Sequence, residues 1–289
     1  MATYIRKNVI NPTPVMSISS EDFDLLKSSR IALTAGLAFE ESYDLLINNH
    51  IEFRNELYKI PNVKDLQNNN IYQEFYGLRS SINRRIVNVL TATRLYLDQT
   101  PQRMALCAKD PDKARVAFNK RKNLHYDTSF SYRFLEHLRN HVQHCGLAVH
   151  GMQLGLVKKD ENGQSIIENT IQVFAQKEYL AEDRIFKKLV FDEINEKVEI
   201  TDAIHQYIRC IGDLHEIARE YVLENLKEKR SLIQQHLSKY SEMNNDNTIG
   251  LTAFRDDSKG SREIVPLLLD WDDIRLNLLS TNPTLKMSI

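Results

Sequence analysis

The stretch FSYRFLEHLRNHVQHCG (residues 130–146) decides the fold prediction, because apolar side chains recur in it at helical spacing. Four of them follow one another every four residues and are expected to face the core: Phe130, Phe134, Leu138 and Val142. One of the polar residues at 127–129 is expected to cap the start of this helix. Gly146 is expected to end it in the left-handed conformation.

Further helices are predicted on both sides of this stretch. Apolar spacing and capping residues place them at residues 20–58, 71–99, 110–123 and 201–240. Ser19 or Ser20 can cap the first of these helices, and Pro101 is expected to follow the end of the second. Gly36 marks either a close helix contact or a break.

The remaining segments lack helical periodicity. Residues 158–164 are predicted to be a turn, and the alternating, β-branched residues 165–180 predict a strand of a small hairpin. The first 20 residues are expected to be extended or irregular, and the polar residues 241–261 are expected to form a mobile loop. The predicted fold class is therefore mostly α with a small β-hairpin insertion.

Composition is typical of a globular protein. The 289 residues include 42% hydrophobic and 27% charged residues, enough apolar material for a sizeable core. Cys107, Cys145 and Cys210 are far apart and indicate reduced thiols of a cytoplasmic protein, without a disulfide framework or a zinc finger. No apolar run reaches the roughly 20 residues of a membrane span, and the start lacks a signal peptide, so no membrane partner is expected.

Charge is unevenly distributed along the chain. The net charge is −1, yet residues 79–122 contain eleven cations and three acids, a balance of 11 − 3 = +8. Such a segment either faces the phosphates of a nucleic acid or is a set of solvated helix surfaces. The candidates for an RNA-binding surface are Arg84, Asn88, Lys120, Arg121 and Lys122.

Alternatives remain open for two groups of polar residues. One helical face carries Arg84, Asn88 and Thr91. Either these residues line a cleft, or Asn88 forms a hydrogen bond with a neighbouring backbone group. His137, His141 and His144 are spaced so that their side chains can share a helix face, which is compatible with zinc but more common as a polar row. No metal site is predicted.

The pattern R-x4–6-H occurs three times, in the pairs Arg139–His144, Arg209–His215 and Arg230–His236. Only the first pair lies at a predicted helix end, where the helix dipole favours a protonated imidazole. Five residues along a helix correspond to about 140° of rotation, so the two side chains do not stack on one row. Five other histidines are interpreted as structural or exposed: His125, His150, His205, His215 and His236.

The segments SYRFLEHLRNHVQHCGLAV and INRRIVNVLTATRLYLD resemble the HEPN superfamily, whose helical dimers include RNA-cleaving toxins and phage-defence nucleases. The family motif is R-x4–6-H, often with Asn directly after the Arg, as Asn140 is here. The resemblance covers roughly residues 25–155 and implies a HEPN-like helical bundle there. The residue patterns outside it predict an extended segment at 1–24 and, at 156–289, a hairpin with C-terminal helices that pack on this core as one compact unit. Position 146 is Gly where toxins silenced by a partner nucleotidyltransferase have Tyr, so that form of control is not expected.

The resemblance implies a metal-independent endoribonuclease with no cofactor. Arg139, Asn140 and His144 would be its catalytic residues, and two copies would meet across a homodimer cleft. His144 would move protons and Arg139 would stabilise charge on the phosphate. An antitoxin or a sensor protein is a possible further partner. The alternatives are a catalytically inactive nucleotide- or RNA-binding module and a purely structural helical scaffold.

Overall fold

The computed structural model describes residues 2–58, 71–161, 164–181, 186–245, 247–257 and 260–282. These residues are mostly helical, as predicted, with two small antiparallel sheets. The described helices are α1 (Ser20–Tyr58), α2 (Ile71–Cys107), α3 (Pro111–Thr128), α4 (Phe130–His144), α5 (Lys177–Leu180), α6 (Lys188–Glu193), α7 (Ile200–Asn244) and α8 (Asp270–Thr281). The described strands are β1 (Ala2–Lys7), β2 (Met16–Ser17), β3 (Gly151–Glu161), β4 (Gln164–Gln176), β5 (Lys197–Glu199), β6 (Leu251–Asp256) and β7 (Arg262–Pro266).

Side-chain caps fix the starts of three helices. The Ser19 hydroxyl accepts the backbone N–H of Asp22 at 2.9 Å, and the Asp22 carboxylate accepts the backbone N–H of Ser19 at 3.2 Å, a reciprocal capping box. Asp110 caps α3 in the same position. The hydroxyl of Ser129 accepts the N–H of Tyr132 at 3.2 Å and starts α4. Ser19 and Ser129 are therefore the capping residues among the candidates that the sequence offered, and each such cap stabilises its helix by about 1 kcal/mol.

Helix α2 continues through Pro101, so the prediction that the helix ends before this residue is wrong. A proline inside a helix costs roughly 3 kcal/mol, because it removes a hydrogen bond and clashes with the preceding turn. Met104 and Cys107 are buried on the next turn, and the Arg103 guanidinium donates to the carbonyl of Ala38. Burial and this hydrogen bond offset the cost of Pro101.

The first sheet has the strand order β2-β1-β6-β7, with all neighbours antiparallel. It overturns the prediction of a mobile loop at 241–261, because β6 lies inside this sheet. The polar residues around β6 dominate the sequence pattern, whereas the apolar run Leu251–Phe254 is buried. Within the first 20 residues, the expected extended segment forms β1 and β2.

The second sheet contains the predicted hairpin. β3 pairs with β4 from Gly151–Phe174 to Glu161–Gln164, and β5 adds a third strand beside β4. The predicted turn at 158–164 is too long, because residues 158–161 belong to β3 and residue 164 to β4; residues 162 and 163 lie outside the described residues. The strand predicted at 165–180 ends at Gln176, where α5 follows.

The chain divides into two compact units. The described residues within 2–41, 99–118 and 216–282 form the first unit, and those within 42–98 and 119–215 form the second. Each sheet belongs to one unit: β2-β1-β6-β7 to the first and β3-β4-β5 to the second.

The first unit has a dense core with a buried ion pair. The Arg219 guanidinium donates to both carboxylate oxygens of Glu40, at 3.1 and 2.6 Å. A Cβ added to Gly36 would lie 2.9 Å from both methyl groups of Leu226, so Gly36 marks a close helix contact rather than a break. Cys107 is also buried here, and burial raises the pKa of its thiol to about 12.

The core of the second unit contains a histidine. The ring of His215 is fully buried and stacks on Tyr43 with ring centroids 3.8 Å apart. Its Nδ1 lies 3.0 Å from the hydroxyl of Tyr96. Cys107 and Cys210 are buried and Cys145 is exposed, and none of the three is in a disulfide.

Candidate functional site

Helix α4 holds the predicted catalytic residues at its C-terminal end, in the second unit. The apolar positions Phe134 and Leu138 are fully buried and fix the face that the helix turns to the core. Arg139 and Asn140 are half-buried beside that face, whereas His144 is exposed in the last turn. The helix therefore presents an arginine and a histidine from the same end but on different faces, as their five-residue spacing requires.

Arg139 is oriented by its neighbour. Its Nη1 donates to the side-chain oxygen of Asn140 at 3.1 Å, and within the described chain no carboxylate lies within ion-pair distance of the guanidinium. Its Nε is buried and has no acceptor among the described residues. The half-buried guanidinium keeps a charge that no described carboxylate neutralises, so it is suited to bind an anionic group with several oxygens.

The three histidines of α4 do not form one exposed row. His137 and His141 are buried, with 7% and 3% of their surface exposed, whereas His144 points to solvent. Across the described ranges, no three His, Cys, Asp or Glu side chains lie close enough to share a metal ion.

Gly146 lies beyond the last residue of α4, His144, and its predicted left-handed conformation is wrong. Its backbone is not left-handed; among the described glycines, only Gly250 and Gly260 have a positive φ. A Cβ at this position would instead lie 3.3 Å from Nε2 of His141, so the glycine leaves room for the buried imidazole. Close approach of a ring, rather than backbone conformation, explains the residue.

His150, which the sequence pattern does not include, lies beside helix α4. Its ring is half-buried, lies 6.0 Å from the ring of His141 and stacks on Tyr179 at 5.0 Å. Its Nδ1 accepts the backbone N–H of Gln176 at 3.0 Å. The pattern R-x4–6-H does not include this residue. Its contacts Gln176 and Tyr179 lie in β4 and α5, 26 or more positions further along the chain, so no short pattern contains them.

Burial lowers the pKa of His150, and the positive charge of a protonated His141 lowers it further, as does that of Arg79. A hydrogen bond with the backbone of Leu147 partly opposes these effects. His150 is therefore an uncharged ring at neutral pH, held in one orientation.

Two arginines of α2 lie beside the segment that follows α4. Arg79 and Arg84 line a cavity of about 200 Å³ together with Leu147, which is three residues after His144. The buried side-chain oxygen of Asn83 accepts the backbone N–H of Val149 at 3.0 Å and fixes this segment against α2. The structure thus brings Arg84 to the end of α4.

Asn88 is exposed and makes no hydrogen bond to any described residue. The interpretation that it bonds to a neighbouring backbone is therefore wrong. Asn83, five residues earlier on α2, makes that bond, because its side chain lies on the buried face.

The basic segment at 79–122 is largely neutralised by ion pairs. Six of its eleven cations have acidic partners: Arg85, Arg94, Lys109, Lys113, Arg115 and Arg121. Arg121 donates to both oxygens of Asp213, at 3.2 and 3.0 Å, and His125 contacts the same carboxylate at 2.6 Å. Lys120 is exposed and Lys122 is half-buried on α3, and neither has an acidic partner among the described residues.

In each of the other two R-x4–6-H pairs, at least one residue has a structural role. Arg209 is exposed while His215 is in the core, so the two side chains do not share a surface. Arg230 is committed to ion pairs with Asp272 and Asp273. Context therefore singles out Arg139 and His144 among the three pairs.

No described helix combines the length and the apolar character that crossing a membrane requires. No family model, no curated protein and no solved structure shows a significant match to the chain.

Proposed function

We propose that the protein is a metal-independent endoribonuclease and that Arg139, Asn140 and His144 form its catalytic site. The observation that carries the proposal is the half-buried Arg139 guanidinium, which Asn140 holds in place and whose charge no carboxylate of the described residues neutralises. It lies at a helix end that also presents an exposed histidine. The resemblance of residues 25–155 to HEPN-superfamily ribonucleases supports the same reading.

The chemistry requires two proton transfers and one stabilised phosphate. The ribose 2′-oxygen attacks the adjacent phosphorus, so that an O2′–P bond forms while the P–O5′ bond breaks. An imidazole accepts the proton of the 2′-hydroxyl, and an imidazolium donates a proton to the departing 5′-oxygen. The products are a 2′,3′-cyclic phosphate and a 5′-hydroxyl.

Arg139 stabilises the charge that gathers on the phosphate oxygens through paired hydrogen bonds, and Asn140 holds the guanidinium in place. One chain supplies one histidine and one arginine at the end of α4. A homodimer in which two such ends face each other supplies both an acid and a base.

The test is cleavage of single-stranded RNA by the full-length protein in excess EDTA. We expect a 2′,3′-cyclic phosphate product, and a rate at least about a hundredfold lower for His144→Ala, since general acid–base catalysis typically contributes that factor. Arg139→Ala should cost a similar factor through lost stabilisation of the phosphate charge. Both variants should keep the wild-type melting temperature.

Matched controls come from exposed neighbours. Gln143→Ala changes an exposed residue of the same helix turn, and Arg209→Ala removes an exposed arginine of another R-x4–6-H pair; both should cleave at the wild-type rate. Loss of folding in His144→Ala would assign this residue to helix capping instead of catalysis.

A second candidate is a binding module that holds RNA at the same surface without cleaving it. One observation favours it: His144 has no hydrogen-bond partner among the described residues, whereas a general base is usually oriented by a third group. Wild-type protein that binds RNA but never turns it over would establish this alternative.

A further inference from the structure

A cavity of about 220 Å³ lies between the first turns of α2 and the start of β3, in the second unit. Its residues from α2 are Tyr72, Phe75, Tyr76 and Arg79, and His150 faces them from the other side. Phe75 and Tyr76 follow Tyr72 by three and four positions, and Arg79 follows Tyr76 by three, so the four residues lie on one side of the helix. The cavity is smaller than the roughly 300–1,000 Å³ of sites for drug-sized ligands, and it suits one planar ring system.

The two tyrosines are unusually accessible. Tyr72 has 83% and Tyr76 has 59% of its surface exposed. They lie one helical turn apart, so both can present their rings to the same bound group. Side chains of this kind provide sequence-tolerant stacking for the bases of single-stranded nucleic acids.

Arg79 adds a positive charge to this aromatic face. Its Cζ lies 5.9 Å from the ring centroid of Tyr76, and no carboxylate of the described chain pairs with it. Arg79 also lines the adjoining cavity with Arg84 and Leu147, which leads toward the end of α4. A guanidinium in this position can bind a phosphate oxygen of a strand whose base is stacked next to it.

The opposite wall is held rigidly. The ring of His150 is stacked on Tyr179, and its Nδ1 is occupied by the backbone N–H of Gln176. A wall that is fixed before the ligand arrives reduces the ordering cost of binding.

We propose that this cavity binds an unpaired base of single-stranded RNA, stacked on Tyr72 and Tyr76, while Arg79 contacts a neighbouring phosphate. The inference deepens the proposed ribonuclease function, on which it rests for the identity of the ligand. It makes the substrate class single-stranded, because a base in a duplex cannot leave its stack to enter the cavity without being unpaired first.

The test measures binding separately from cleavage. The probe is a fluorescently labelled 2′-O-methyl RNA oligonucleotide, which lacks the attacking hydroxyl, and the readout is fluorescence anisotropy with the full-length protein. We expect Tyr72→Ala and Tyr76→Ala each to weaken binding by at least about fivefold, since stacking of a base on an aromatic side chain is worth that factor or more. Tyr72→Phe and Tyr76→Phe should retain wild-type affinity, because the ring is kept.

Arg79→Ala should weaken binding. It should also reduce the slope of log affinity against log salt concentration by the amount that corresponds to about one phosphate contact. The matched controls are Tyr58→Ala, which removes a 70% exposed tyrosine outside the cavity, and Arg209→Ala. Neither control should change the affinity or the salt slope.

Several results would overturn the assignment. The first is that a duplex of the same sequence binds as tightly as the single strand, and the second is that the tyrosine variants bind as tightly as the wild type. The third is that the probe does not bind at all. The fourth is that a nucleoside 5′-monophosphate binds as tightly as the oligonucleotide. The last result would identify a free nucleotide as the ligand. If unmodified RNA is cleaved but the tyrosine variants behave as wild type, the cavity assignment fails and the ribonuclease stands. If binding depends on the tyrosines but no RNA is cleaved, the cavity assignment stands and the ribonuclease proposal fails.

Discussion

Histidines are the residues whose surroundings differ most from one another in this protein. His215 is enclosed by tyrosines, His125 contacts a carboxylate, and His144 is in solvent. His50 and His205 form an edge-to-face pair with ring centroids 5.3 Å apart, and the Nε2 atom of each is buried without a hydrogen-bond partner among the described residues. Burial lowers the pKa of both His50 and His205.

His50 makes stability depend on pH. Burial lowers its pKa from 6.5 to about 4, and the charges of His205 and Arg54 add to the effect. Between these two values the unfolded chain binds a proton that the folded protein excludes, so the free energy of unfolding falls as pH is lowered through this window. From about pH 7 to about pH 5, we expect His50 alone to lower it by about 2 kcal/mol.

Urea denaturation of the wild type and of His50→Leu at both pH values measures this contribution. The variant should lose about 2 kcal/mol less than the wild type on acidification. An identical loss in both proteins would show that His50 does not control the acid sensitivity.

The sequence located the candidate site but not its surroundings. The resemblance and the helix end singled out Arg139 and His144, because those signals lie within one short segment. The roles of Gly146 and His150 depend on His141, Gln176 and Tyr179, and contacts formed by the tertiary fold have no local pattern.

At the scale of single elements, two glycines inside long helices have opposite surroundings. Gly36 is buried in α1, where an added Cβ would lie 2.9 Å from Leu226 and 3.2 Å from Arg275. Gly77 is exposed in α2, and an added Cβ would have no neighbour within 4 Å. Substitution by alanine therefore measures the effect of packing at Gly36 and the effect of helix propensity at Gly77.

Gly36→Ala should lower the free energy of unfolding by about 1–3 kcal/mol, the usual cost of overpacking a core. Gly77→Ala should raise it by about 0.5–1 kcal/mol, because alanine loses less backbone entropy in a helix. Equilibrium denaturation of both variants checks the pair. A stabilised Gly36→Ala protein would mean that Leu226 moves freely, contrary to its 1% exposure.

Helix caps and apolar spacing predicted the helices well, and the errors concern elements whose stability comes from elsewhere in the chain. Pro101 is tolerated inside α2 because the turn after it is buried. β6 was predicted as a loop because its polar flanks dominate, yet both of its edges are paired, with β1 and with β7. Neither partner strand is visible in the local sequence.

At the scale of the whole molecule, the proposed chemistry requires two copies of the chain. Arg139 and His144 lie on different faces of α4, so one helix end supplies only one imidazole to a phosphate. We predict a two-fold dimer at micromolar concentration, with part of residues 70–150 in its interface. Sedimentation should give twice the mass of the chain.

A mixing experiment checks whether that dimer forms the active species. After subunit exchange, an excess of His144→Ala protein should lower the activity per wild-type chain, because most wild-type chains then face an inactive copy. An excess of Gln143→Ala protein should not. A strict monomer, or activity that is indifferent to the excess variant, would exclude a site shared between copies.

The pairing of β1 with β6 joins residues that are made far apart in time. The hydroxyl of Tyr4 donates to the carboxylate of Asp256 at 2.9 Å across a separation of 252 residues. At a synthesis rate of about 5–20 residues per second, β1 leaves the ribosome roughly 10–50 s before its partner strand exists. During that interval its backbone donors and acceptors on that side have no strand to pair with, and an open strand edge can associate with other chains. The nascent protein is thus most exposed to aggregation, and most in need of a chaperone, between the synthesis of β1 and the synthesis of β6.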